Sequence, residues 1–217
     1  MFKDRRDAGI RLAQALDHYR QAEPIIFALP RGGVVLGVEI AKRLHAPLDL
    51  VITKKIGHPM NPEYAIGAMA EEGEPVCNAR EVEKIDPIWF EEEKDKIRLE
   101  IKRRRNKYLG KEKPRSLEGK TAILVDDGIA TGFTMMAAIN EIKTRNPNKI
   151  VVAIPVTPFD IAQELIKVTD ELVSLEVDED YLGAVGAYYQ YFDQVQDEEV
   201  LALLKSAGNE TPVNMEE

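Results

Sequence analysis

Ile123-Leu124-Val125-Asp126-Asp127-Gly128-Ile129-Ala130-Thr131-Gly132-Phe133-Thr134 is the stretch that decides the fold. Ala122 to Val125 reads as a buried strand, and it ends in two adjacent carboxylates. Gly128 and Gly132 let the following loop turn tightly and approach a ligand, and Thr131 and Thr134 add hydroxyls. Met135, Met136, Ile139 and Ile142 then mark a helix to about Arg145. Free N–H groups and the positive dipole end at a helix N-terminus suit an anion such as phosphate. An acid pair beside that anion suits hydroxyls, a cation or both, so the chemistry expected is that of a sugar phosphate with Mg2+.

The flanking chain alternates. Asp7 to Tyr19 reads as an amphipathic helix, Ile25 to Leu29 as a strand, Val34 to Leu44 as a helix and Leu48 to Thr53 as a second strand. Gly, Pro, Asn and His between Lys54 and Pro62 predict a loop. Asp86-Pro87 caps a helix running to Leu109, with Phe90, Ile97, Ile101 and Tyr108 on one face and the basic run Lys102 to Arg105 on its wet side. A strand at Ile150 to Ile154, a helix after Pro158 and a strand at Leu172 to Val177 complete the order. Strands separated by helices predict an α/β fold, a doubly wound, mostly parallel sheet flanked by helices. Ligands bind outside the carboxyl ends of such strands, which gathers the loops after Leu29, Thr53, Val125 and Ile154.

Two of those loops carry matching chemistry. Pro30-Arg31-Gly32-Gly33 opens a helix and combines a guanidinium with two glycines. Lys54-Lys55 ends the second strand, ahead of Ile56-Gly57-His58-Pro59-Met60-Asn61-Pro62-Glu63-Tyr64. Near the C-terminus, Asp178 to Asp193 concentrates aromatics, among them Tyr181 and Tyr188 beside Leu182. Each has a plainer alternative: a turn with a solvated Arg, surface lysines, a solvated loop His58, and a packed surface loop.

With these residues in view, the chain resembles the type I phosphoribosyltransferases. The segment from Ile123 to Thr134 is similar to that family's motif for 5-phosphoribosyl-1-pyrophosphate (PRPP). Pro30 to Gly33 is similar to its pyrophosphate loop, where a non-proline cis peptide is expected at Pro30–Arg31. Pro30-Arg31-Gly32-Gly33-Val34, Asn61 to Ala68 and Ala184 to Tyr189 most resemble a subgroup of unassigned substrate, found alone or joined to hydrolase domains. The resemblance covers roughly Ile25 to Phe192. It implies a single domain over 1–217 with a core at about 20–175, a small hood at about 176–195 and a frayed tail at about 208–217.

The resemblance also implies roles. Asp126 and Asp127 would take the ribose hydroxyls. Ala130, Thr131, Gly132, Phe133 and Thr134 would hold the 5-phosphate. Pro30, Arg31, Gly32 and Gly33, with Lys54 or Lys55 at the root of a mobile loop, would face pyrophosphate. Mg2+ would be held mainly by PRPP, with Asp126 or Asp127 nearby. Tyr181, Leu182 and Tyr188 in the hood would stack a nucleobase or other small nitrogen acceptor, and a homodimer is an option within the family. Ala130 stands where oxopurine-specific members carry an acid. A non-catalytic PRPP or nucleotide sensor of the same fold stays open. A phosphohydrolase using an aspartyl nucleophile is disfavoured, because the phosphate loop follows the acids on the same turn.

Composition agrees. Of 217 residues 44% are hydrophobic and 31% charged, as in a globular chain. A net charge of -9 argues against nucleic acid or an anionic membrane as partner. Cys77 is the only cysteine, and neither a signal-peptide core nor a membrane-length apolar run is seen, so a cytoplasmic location is expected.

Overall fold

The computed structural model describes residues 1–110 and 114–208. Strands β1 (Pro24–Ala28), β2 (Leu48–Leu50), β6 (Thr121–Val125), β7 (Lys149–Pro158) and β8 (Glu171–Asp178) form a parallel sheet in the order β2-β1-β6-β7-β8. Helices α1 (Arg5–Ala15), α2 (Gly32–Leu44), α4 (Pro87–Leu109), α5 (Phe133–Thr144), α6 (Phe159–Val168) and α7 (Asp197–Ser206) flank it, with a short α3 at Ala79–Val82. The doubly wound arrangement expected from the sequence is therefore present.

The alternation of side chains across the strands builds two cores. On β1, Ile26 and Ala28 face a cluster with Leu12, Leu36, Ile40 and Leu204. Ile25 and Phe27 face the opposite cluster with Met135, Ile139, Ile142 and Leu165. All five residues of β1 and all five of β6 are buried, as expected of central parallel strands covered on both faces. The chain moves from β1 out to β2, then returns to place β6 on the other side of β1. That reversal is the topological switch point, where crevices form at strand carboxyl ends.

Several boundaries differ from expectation. The first helix ends at Ala15, and a separate 3-10 turn covers Asp17–Tyr19. The strand expected at Ile150 to Ile154 continues to Pro158. The largest correction is the loop expected from Lys54 to Pro62. It is an antiparallel hairpin of β3 (Lys54–His58) and β4 (Asn61–Met69), extended by β5 (Val76–Cys77) into a small second sheet. The punctuating Gly57 and Pro59 sit at register shifts and at the tight turn, so they interrupt a strand pair without abolishing it. All but Gly208 of the tail expected to fray lies outside the described residues.

Arg105 is also corrected: it is not on a wet face. Its side chain is 11% exposed and lies 3.9 Å from buried Asp49 and 4.0 Å from Glu71. Arg145 approaches the other Asp49 oxygen at 3.9 Å, and Glu141 accepts the Glu71 N–H at 3.0 Å. Two guanidinium groups thus meet the carboxyl groups of Asp49, Glu71 and Glu141. Burial pushes Glu141 up from 4.5 to about 7. The folded chain then holds this proton more tightly than the unfolded chain. Its contribution to stability is complete below about pH 4.5 and lost as pH rises through about 7. Glu141→Gln keeps an oxygen acceptor and removes the titration. Chemical denaturation is expected to show equal stability near pH 4.5 and a variant more stable than the parent by about 1–3 kcal/mol at pH 8.

Candidate active site

Register and hydrogen bonding bring the first and third expected loops together. Ala28 pairs with Val125, and the Leu29 N–H donates to the Val125 carbonyl at 2.9 Å. Pro30 to Gly33 therefore lies directly beside Asp126 and Asp127, and the Pro30–Arg31 peptide is cis, as expected.

Gly32 is required by this neighbour. A Cβ there would lie 1.9 Å from Asp127 Oδ2 and 3.0 Å from Arg5 Nε. At Gly33 it would lie 2.7 Å from the Val125 carbonyl oxygen. The two glycines thus let one loop press against the other. The amides of Gly33 and Val34 are used within the turn, donating to Leu29 and Arg31 carbonyls at 3.1 and 3.2 Å.

The acid pair is crowded. Asp126 Oδ1 accepts the Asp127 N–H at 2.8 Å. Burial, then the neighbouring Asp127 charge, drives Asp126 well above the usual carboxylate range. Burial also raises Asp127, against the opposing pull of Arg5. Arg5 Nε donates to Asp127 Oδ2 at 2.7 Å, and the two side chains are only 11% and 16% exposed. Arg5 further donates to the Asp193 carbonyl at 2.6 Å and lies 3.7 Å over the Phe192 ring. Tyr189 donates to the Asp127 carbonyl at 2.6 Å, and burial raises its hydroxyl pKa.

Beyond the acids, Ile129 N–H donates to Val156 O at 3.0 Å and ties the loop to β7. Gly132, at φ 77°, caps α5, which opens at Phe133. That left-handed backbone favours glycine and turns the chain so that the first-turn amides of α5 face the loop. Ala130 and Thr131 are exposed, while Phe133 and Thr134 are half-buried.

Two of the basic candidates, Arg31 and Lys54, are already engaged. Arg31 stands 3.8 Å from Asp197 at the start of α7, where Lys107 and Tyr108 each donate at 2.5 Å. Lys107 foremost, then Tyr108, holds Asp197 below the usual carboxylate range. Lys54 pairs with Glu100 on α4, and Lys55 is exposed. His58 Nδ1 accepts the Met60 N–H at 3.1 Å inside the hairpin turn.

The aromatic segment is more internal than expected. Tyr188, anticipated as an exposed stacking surface, is 3% exposed. Its hydroxyl donates to Asp178 and accepts the Leu182 N–H at 2.9 Å. Tyr181 stacks on Tyr188 with ring centroids 5.4 Å apart, and Leu182 is 61% exposed. Tyr181 and Asp178 to Asp180 join Pro158, Phe159 and Asp160 around a cavity of 880 Å3 at the carboxyl ends of β7 and β8. Arg5, Asp197 and Asp160 were not marked by any motif, and Tyr189 was marked only as part of the string Ala184 to Tyr189.

Comparison with known proteins decides the family. The family model described as phosphoribosyl transferase domain matches residues 4–191. The chain belongs to the phosphoribosyl transferase family. A provisionally named phosphoribosyl transferase of Mycobacterium tuberculosis H37Rv is 38% identical over 209 residues, 95% of this chain and 47% of its own length. The same figures hold for its counterpart in strain CDC 1551 / Oshkosh. The chain thus spans about half the length of the curated relatives it matches. A solved structure from Thermus thermophilus, TT1426, superposes with a TM-score of 0.79 at 39% identity, covering 95% of this chain and 98% of that one. AQ2163 from Aquifex aeolicus shares the fold at 13% identity and a TM-score of 0.51, over 80% and 74% of the two chains.

In this phosphoribosyl transferase domain Gly32, Asp127 and Arg5 form one contact. Gly32→Ala is expected to cost about 2–4 kcal/mol, because the new methyl displaces a half-buried, paired carboxylate. In a double-mutant cycle read by chemical denaturation, Arg5→Ala should cost much less in the Gly32→Ala background than in the parent. Additive costs would show that the methyl is accommodated without moving Asp127.

Proposed function

We propose that this chain is a phosphoribosyltransferase-like enzyme that uses PRPP and Mg2+ to transfer a 5-phosphoribosyl group to a small nitrogen acceptor, releasing pyrophosphate. The observation that carries this reading is the contact between Pro30–Gly33 and Asp126–Asp127, directly ahead of a helix N-terminus at Phe133. In this reading the guanidinium loop, the acid pair and the helix N-terminus would take the pyrophosphate, the ribose hydroxyls and the 5-phosphate of PRPP in turn.

The 5-phosphate would sit on the amides and hydroxyls of Ala130 to Thr134. Asp126 and Asp127 would accept from the ribose hydroxyls and favour the positive charge that develops on the ring as the anomeric bond to pyrophosphate breaks. Such preorganised charge is typically worth ~100–1,000-fold in rate. Arg31, with Lys54 or Lys55, would neutralise the departing pyrophosphate. Two hard carboxylate oxygen donors beside that site fit Mg2+, which when bound supplies charge neutralisation of the leaving group. The 880 Å3 cavity beside Tyr181 would admit the acceptor, with Leu182 at its rim and Tyr188 as the support beneath Tyr181. A single domain over 1–217 would be sufficient for this site, and a homodimer is compatible with it. The charge of -9 speaks against nucleic acid as partner.

A non-catalytic PRPP sensor is the second reading. It is favoured by one observation: Lys54 is committed to Glu100 and Arg31 to the Asp197 cluster, so neither is free for pyrophosphate without moving.

A screen of bases and amines with PRPP and Mg2+, read by pyrophosphate release, separates the two. Release that depends on the acceptor and is lost in Asp127→Asn is expected. Tight PRPP binding with no release for any acceptor would favour the sensor. Ala130 cannot exchange a proton with an oxopurine, and a positioned acid or base typically contributes ~100–10,000-fold. Hypoxanthine and guanine are therefore expected to be poor acceptors in steady-state kinetics. Efficient turnover of either would mean that another group, such as Glu63 or His58, performs the transfer.

A further inference from the structure

The N-terminal segment is stitched to the hood. Phe2 N–H donates to the Tyr188 carbonyl at 2.8 Å, Gln190 N–H to the Phe2 carbonyl at 2.9 Å and Tyr191 N–H to the Lys3 carbonyl at 3.0 Å. The Asp4 carboxylate then accepts the Asp7 N–H at 2.8 Å and starts α1, so the first residue of that helix, Arg5, is aimed inward. Its guanidinium spans two parts of the molecule. One face lies against the Phe192 ring of the hood, a terminal N–H donates to the Asp193 carbonyl and Nε donates to Asp127 Oδ2. A methyl on Gly32 would touch both partners of that pair. A long, costly side chain is thereby fixed in a half-buried slot at one oxygen of one carboxylate.

Resting on the functional reading above, we propose that Arg5 is the positioning residue of the ribose-binding acid: it engages one oxygen of Asp127 so that the remaining lone pairs point to the ribose hydroxyls, and it makes the N-terminal segment and the hood part of the site. An ionised carboxylate has about four acceptor positions, and one guanidinium N–H occupies one of them, so Arg5 and a hydroxyl can be held together. Arg5 also offsets the cost of a second negative charge beside Asp126. Lysine at this position would keep the charge and a donor for Asp127, but not the flat stacking on Phe192.

The test compares two ligands by isothermal titration calorimetry. Ribose 5-phosphate carries the phosphate and the hydroxyls. Tetrahydrofurfuryl phosphate has the same ring and phosphate but no ring hydroxyl. The parent protein should bind ribose 5-phosphate the more tightly. Arg5→Ala should weaken ribose 5-phosphate about 10- to 100-fold, the range of a charge-assisted hydrogen bond, and leave tetrahydrofurfuryl phosphate within about twofold. Arg5→Lys should recover most of the loss. Equal weakening of both ligands, or none of either, would overturn the proposal and leave Arg5 a structural strut. If Arg5→Ala does not fold, Arg5→Lys and Arg5→Gln decide it: lysine alone retaining the preference for ribose supports the role, and equal preferences overturn it. Failure of the parent protein to bind either phosphate is a separate outcome, which would remove the functional reading itself.

Discussion

Asp127 is held from three sides. Arg5 takes one carboxylate oxygen, Tyr189 binds its carbonyl, and Gly32 leaves the space in which the carboxylate sits. Two acidic side chains in sequence, half-buried at the end of a fully buried strand, repel one another and resist ionisation. The chain tolerates this because a guanidinium is brought from 122 residues away and backed by an aromatic ring. The N-terminal segment, the loop after β1, the loop after β6 and the aromatic segment after β8 all meet at this residue.

The parallel sheet supplies the frame. Because β6 returns to the far side of β1, two loops distant in sequence start from paired residues, Ala28 and Val125. Close contact between them then requires small residues, which are Gly32 and Gly33. On the β3–β4 hairpin and α4, Lys54 pairs with Glu100 and Arg105 lies near Asp49.

The sheet and its helices were legible because their signals are local. Buried strands read as short apolar runs, Asp86-Pro87 starts α4 where expected, and the acid pair followed by Gly and Thr marks a strand, a turn and a helix. The cis peptide at Pro30–Arg31 was legible only through family resemblance. The hairpin was not legible, since Gly57, Pro59 and Pro62 resemble loop punctuation and its pairing is settled by contacts with residues up to Met69. Arg105 was misread for the opposite reason: in a run of four basic residues, only tertiary packing against Asp49 singles one out. Arg5 carried no signal, because nothing local singles it out within Lys3-Asp4-Arg5-Arg6. The tyrosines were visible as a group, but which of them face inward depends on Asp178 and Asp127, their hydrogen-bond acceptors.

The central claim is that the loops around Asp127 form a single site for a pyrophosphorylated ribose phosphate. A crystal structure of the protein with PRPP and Mg2+ tests it most directly. The account predicts the 5-phosphate on the amides of Ala130 to Thr134, the ribose hydroxyls on Asp126 and Asp127, and pyrophosphate beside Arg31 and Gly32. PRPP bound away from Asp126 and Asp127, with the Arg5–Asp127 contact unchanged and the phosphate loop empty, would contradict it.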